Sequence, residues 1–138
     1  MISAAILCLA TNLYFEARGE PVAGQLAVGY SVMNRVKSPR YPDTLCGVVH
    51  QAKYNGWDMV NPIKHRCQYS WFCDGLSDRP KDGKAMLEAT ILALNIYHGR
   101  VVDVSEGATH YHNTTVTPYW ASDLTKVLSV GSHVFYRY

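Results

Sequence analysis

The 138-residue sequence predicts an α+β fold, with helices in the first two-thirds and a small antiparallel sheet at the C-terminal end. Three observations carry that prediction. Apolar residues recur at helical spacing in several stretches up to Tyr97. After Gly99 the pattern changes to short β-branched or aromatic runs separated by Gly and Ser. No linker, repeat or low-complexity tract divides the two regions, so residues 1–138 read as one domain. At 48% hydrophobic and 17% charged, the chain is globular and long enough to bury a core without staples.

The first helix is expected over residues 2–16, with Ile2, Ala5, Ile6, Leu9, Leu13 and Tyr14 at helical spacing and Gly19 as its stop. Pro21 opens a second helix, where its missing N–H does no harm, and the helix runs to about Lys37. Its inward side is read as Val22, Leu26, Val32, Met33 and Val36, and Ser38-Pro39 closes it. Asp43 or Thr44 can cap a short helix over Leu45–Gln51. Residues 52–82 form a long loop rich in Gly, Asn, Asp and Pro, of the kind that usually carries function. Gly83–Tyr97 is the third long helix, apolar on most of its circumference and therefore expected to be central. Strands are expected at Val101–Val104, Thr109–His112, Lys126–Val130 and His133–Tyr136.

The formal charge of +2 is too balanced to argue for a nucleic-acid partner. Ile2–Ala10 is apolar but follows no Lys or Arg and is too short to span a membrane. It reads as part of the domain, which implies no targeting segment and no stable membrane association. The four cysteines lack CxxC spacing, so no zinc site is expected. Cys8 lies in an apolar helical stretch and reads as a buried thiol. Among Cys46, Cys67 and Cys73, the pairing Cys46–Cys73 is expected first.

Glu16 lies at a helix end beside Tyr14, Phe15 and Ala17. Aromatic surroundings desolvate a carboxyl and raise its pKa, as a general acid requires. The alternative is a structural role, either pairing with Arg18 or capping a neighbouring helix. Glu20 could be the second carboxylate of a glycosidase pair, but just before Pro21 an N-terminal helix cap is the better reading. In Ala108–Asn113, His110 and His112 share one face of a strand and Tyr111 takes the other. The two histidines could contact a ligand, or bind a metal with His133 or His50. In Cys67–Gly75, Gln68 and Ser70 alternate with Tyr69 and Trp71. Trp71, Trp57 and Trp120 could stack on sugars, although a core role competes for each. There is no GxSxG elbow, no HExxH and no phosphate loop.

The segments YFEARGEPVAGQLAVGYSVMNRVKSPRYPDTLCGVVHQ, QYSWFCDG, GATHYHN, PYW and GSHVFYR, taken in order, resemble the cell-wall hydrolase family typified by the spore cortex-lytic enzyme SleB. That resemblance implies a lysozyme-related catalytic domain acting on bacterial peptidoglycan, similar to lytic transglycosylases, with Glu16 as sole acid/base. It also implies substrate contacts at Gln68, Ser70 and Trp71 and in the His110, Tyr111, His112 stretch, while Trp120 stays a candidate contact on its own aromatic character. No cofactor or metal and a monomeric state are expected. The lack of an export signal and of a wall-binding domain resembles a bacteriophage endolysin, held in the host cytoplasm until a holin releases it. Competing readings are a hydrolytic muramidase or glucosaminidase, a metal-dependent amidase using His110, His112 and His133, and a non-catalytic wall-binding module.

Overall fold

The computed structural model describes residues 2–138. Four helices, α1 (Ala4–Ala17), α2 (Val22–Val36), α3 (Leu45–Val49) and α4 (Gly83–Tyr97), precede three strands, β1 (His110–Asn113), β2 (Thr125–Val130) and β3 (His133–Arg137). Single 3-10 turns cover Ser70–Cys73 and Tyr119–Asp123. The strands form one antiparallel sheet in the order β1-β3-β2, with Tyr111 opposite Phe135 and Asn113 opposite His133. This is the α+β arrangement the sequence predicts, but the central helix is not the expected one.

α1 occupies the middle, packing against α2, α3 and α4. Ser3 caps it through a bond from the Ile6 amide. Ile6, Leu9, Ala10, Asn12, Leu13, Tyr14 and Ala17 are all buried, so its apolar surface is enclosed on several sides. α4, by contrast, buries only Ala89, Ala93 and Ile96, while Leu87 and Ile91 stay exposed. Apolar content alone does not make a helix central; the number of neighbours does. α2 follows expectation only in part. Val22 is exposed, Val32 is buried as expected and Leu26, Met33 and Val36 are half-buried against the core, while the rest of the buried side is Gly24, Ala27, Val28, Gly29, Tyr30, Ser31 and Arg35. The small residues on it allow close approach: a Cβ on Gly29 would lie 2.4 Å from Ile96 Cδ1.

Three further expectations are corrected. Val101–Val104 is not a strand, because Asp103 takes up the local backbone, accepting from the amides of Ser105 (2.9 Å) and Gly107 (3.1 Å) and from the Ser105 hydroxyl (2.6 Å). Glu20 does not cap α2, whose N-cap Pro21 has no side-chain cap; its carboxylate reaches the β2–β3 turn instead. The disulfides are Cys8–Cys46 and Cys67–Cys73 rather than Cys46–Cys73. Packing of α1 on α3 brings the Cα atoms of Cys8 and Cys46 to 5.3 Å, so Cys8 is not a free thiol.

Candidate active site around Glu16

α1 ends at Ala17, and Gly19 at φ +85° turns the chain away. This leaves Glu16 on the last turn, half-buried, with its carboxylate accepting a hydrogen bond at Oε1 from the Tyr111 hydroxyl. Burial raises the Glu16 pKa above its ordinary value, and the bond from Tyr111 partly opposes the rise. Tyr111 is itself pushed well above the ordinary tyrosine range by burial and by the Glu16 charge, so it remains a donor. Tyr69, buried in the long loop, is raised to about 12, chiefly by burial.

Two α2 residues carry the strand that brings Tyr111 here. Arg35 is buried and donates from Nε to the Thr109 carbonyl at 2.7 Å, with its guanidinium 4.6 Å from the Tyr41 ring centre. Asn34 donates to the Ala108 carbonyl at 2.9 Å. Tyr111 then packs its ring 5.3 Å from Phe135 and 4.9 Å from His133.

The strand alternation expected for the histidines holds, and it divides the expected site. Tyr111 faces the helices and Glu16, whereas His110 and His112 lie on the opposite face. There Trp120 sits 5.1 Å from His110 and 5.7 Å from His112, and His112 Nε2 meets the Tyr136 hydroxyl at 2.9 Å. His110 is lowered to about 4, first by burial and then by Arg35, so it is neutral in the ordinary working range. His133 is on the Tyr111 face, its Nδ1 3.7 Å from Glu20 Oε1. The three histidines of the amidase reading therefore do not converge, because register places His133 on one side of the sheet and the pair on the other.

The Cys67–Cys73 segment also alternates: Gln68 and Ser70 are exposed, Tyr69 and Trp71 buried. Trp71 is only 6% exposed, stacks 5.0 Å from Phe15 and donates its indole N–H to Asn12 Oδ1 at 2.9 Å. It is a core residue rather than an open platform for a sugar. Its neighbour Phe15 helps line a groove of about 310 Å³ with Tyr14, Arg18, Leu76, Ser77, Arg79 and Lys81. Asn12 and the tie between Glu20 and the β2–β3 turn have no signature in the sequence, and Arg35 has only a slight one. A charged residue three positions after Val32, on the apolar side of α2, was the available signal for Arg35.

A family model described as Cell Wall Hydrolase matches residues 19–136, a span that begins just after Glu16. The spore cortex-lytic enzymes of Halalkalibacterium halodurans and Bacillus subtilis are 34% and 30% identical over 131 residues, 94% of this chain. The chain spans 34% and 36% of the length of those two relatives. Among solved structures, the catalytic domain of the germination-specific lytic transglycosylase SleB from Bacillus anthracis matches with a TM-score of 0.71 and 26% identity. That match covers 99% of this chain and 97% of the other. The catalytic domain of the Bacillus cereus SleB protein matches with a TM-score of 0.67 and 26% identity over 96% of this chain and 89% of the other.

Proposed function

Starting from the fact that this chain belongs to the cell wall hydrolase family, we propose that it cleaves peptidoglycan glycan strands as a lytic transglycosylase with Glu16 as its only acid/base. The observation that carries this reading is the half-buried Glu16 carboxyl, raised in pKa and held at one oxygen by Tyr111. The nearby carboxylate that might have served as a partner, Glu20, has both oxygens committed to Ser132. A retaining or inverting hydrolase ordinarily uses two carboxyl groups, while displacement by the substrate's own 6-hydroxyl can proceed with one acid/base. The similar Bacillus anthracis domain is called a lytic transglycosylase, which supports the same choice.

In this mechanism the Glu16 proton passes to the glycosidic oxygen between N-acetylmuramic acid and N-acetylglucosamine as that bond breaks. The resulting carboxylate takes the proton of the muramoyl 6-hydroxyl while its oxygen bonds to the anomeric carbon. The product is a 1,6-anhydro end, and no water is consumed. Tyr111 stabilises the carboxylate form between the two proton transfers. Exposed Gln68 and Ser70, on either side of buried Tyr69, are proposed substrate contacts. His110, His112 and Trp120 are proposed as a more distant contact surface on the outer side of the sheet. Residues 1–138 are read as one catalytic domain, since α1 bears Glu16 and also forms the middle of the core.

Mass spectrometry of purified peptidoglycan digested with the protein tests this directly. Anhydro ends, one water lighter than reducing ends, are expected, and Glu16→Gln should lose on the order of 10²–10⁴-fold in rate. Reducing ends would point to a hydrolytic muramidase or glucosaminidase. An active Glu16→Gln protein would remove Glu16 from the mechanism.

A further inference from the structure

We infer that Glu20 is a positioning residue for Glu16, acting through the β2–β3 turn and the Tyr111 side chain. The inference rests on the reading of Glu16 as the acid. Glu20 sits at the corner between α1 and α2, four residues beyond Glu16. Its Oε1 accepts from the Ser132 amide at 2.9 Å and its Oε2 from the Ser132 hydroxyl at 2.8 Å. The turn is shaped around that carboxylate: Gly131 is at φ +57°, and a Cβ there would come within 2.5 Å of Glu20 Oε1. His133, two residues beyond Gly131, is 8% exposed, with Nδ1 3.7 Å from the same oxygen and no hydrogen-bond partner. Its ring packs 4.9 Å from that of Tyr111, whose hydroxyl donates to Glu16.

The corner of the helical layer is thus tied to the sheet at two points. Glu16 holds β1 through Tyr111, and Glu20 holds the start of β3 through Ser132. Because β1 pairs with β3, and Asn113 lies opposite His133, the second tie sets where the first can reach. Release of the Glu20 tie lets the turn, the His133 ring and then the Tyr111 hydroxyl shift relative to Glu16. A small misplacement of a catalytic group costs up to about 10²-fold in rate.

Two readouts separate this from a merely structural role. The first is the kcat and KM of Glu20→Ala on soluble glycan fragments. The second is the titration of the Glu16 carboxyl, followed by carbon NMR in the intact protein. The titratable groups facing Glu16 are Tyr111 from β1 and Tyr69 from the long loop, both raised above the ordinary tyrosine value and uncharged over the range scanned. Those facing His133 are Glu20 and Tyr111, and His112 acts on it only from the opposite face of the sheet. Loss of the Tyr111 bond moves the Glu16 titration to higher pH. Loss of the Glu20 charge alone would move it to lower pH, since a neighbouring negative charge is removed. The expected result is a fall in kcat with KM little changed, a titration shifted upward, and little added effect of Glu20→Ala in a Tyr111→Phe background. Glu20→Gln, which keeps one acceptor for the Ser132 amide, should recover part of the loss. An unshifted or lowered Glu16 titration, or effects that multiply in full with Tyr111→Phe, overturns the inference. If Glu20→Ala does not fold, Ser132→Ala, which deletes only the hydroxyl bond, is judged on the same two readouts. The NMR titration reports the coupling even if Glu16→Gln retains activity, so failure of the functional reading and failure of this one are distinguishable.

Discussion

At Glu16 two effects oppose each other. Removal from water favours the protonated acid, and the Tyr111 hydroxyl favours the carboxylate; burial is the larger, so the net shift is upward. That balance suits a group that must first give a proton and then take one back. Trp71 shows how a plausible ligand residue can turn out to be structural. Its indole N–H satisfies Asn12, a fully buried amide whose Nδ2 already lacks a partner. Trp71→Phe should therefore cost about 1–3 kcal/mol in urea unfolding, because Asn12 Oδ1 is left buried and unpaired. KM for glycan should stay unchanged in the folded fraction. A raised KM at unchanged stability would restore the sugar-stacking role. The alternation in Gln68–Trp71 was legible from the order of residues, but Asn12, 59 positions earlier, could not be paired with Trp71 from spacing.

At the scale of the element, α2 is the most informative helix. Its inward face is only partly the expected one: Val32 is fully buried and Leu26, Met33 and Val36 pack against the core, but Val22 is exposed and the small residues Gly24, Ala27, Gly29 and Ser31 fill much of the buried side. Two of its glycines make opposite predictions. A Cβ on Gly24 meets only ordinary contacts, the nearest being 3.6 Å from Glu20 Cβ, so Gly24→Ala should stabilise the protein by up to about 1 kcal/mol through helix propensity. A Cβ on Gly29 lands 2.4 Å from Ile96 Cδ1, and Ile96 is buried on every side. Overpacking of about 1–3 kcal/mol there meets or exceeds the same propensity gain, so Gly29→Ala should be neutral to destabilising. Thermal unfolding of the two variants decides both; a Gly29→Ala protein more stable than Gly24→Ala would contradict this packing.

Across the whole molecule, the Cys8–Cys46 disulfide links α1, which carries Glu16, to α3 over a sequence separation of 38. Cys67–Cys73 closes a much shorter loop, with a separation of 6, around Tyr69 and Trp71. Loop-closure entropy grows with loop length, giving about 4 kcal/mol for the first and roughly 2 kcal/mol for the second. Replacing Cys8 and Cys46 together by Ala should therefore lower unfolding stability more than replacing Cys67 and Cys73. Denaturant titrations of the two double variants under oxidising conditions check the order. The family and the solved relatives fit this architecture, since the match to the Bacillus anthracis catalytic domain extends over nearly all of both chains.

Apart from the strand expected at Val101–Val104, the order of elements, the change from helix to strand after Gly99, the position of Glu16 at a helix end and the opposite faces of His110 and Tyr111 were readable from the chain. Each is a local consequence of periodicity, and periodicity survives whatever the rest of the molecule does. Tertiary structure alone decided which helix is central, which cysteine pairs with which, and that Tyr111 meets Glu16 across 95 positions. It also turned Glu20 from an apparent helix cap into a clasp on the β2–β3 turn. Those outcomes depend on which surfaces exclude water against one another, and a one-dimensional pattern shows which side of an element is apolar but not what will cover it.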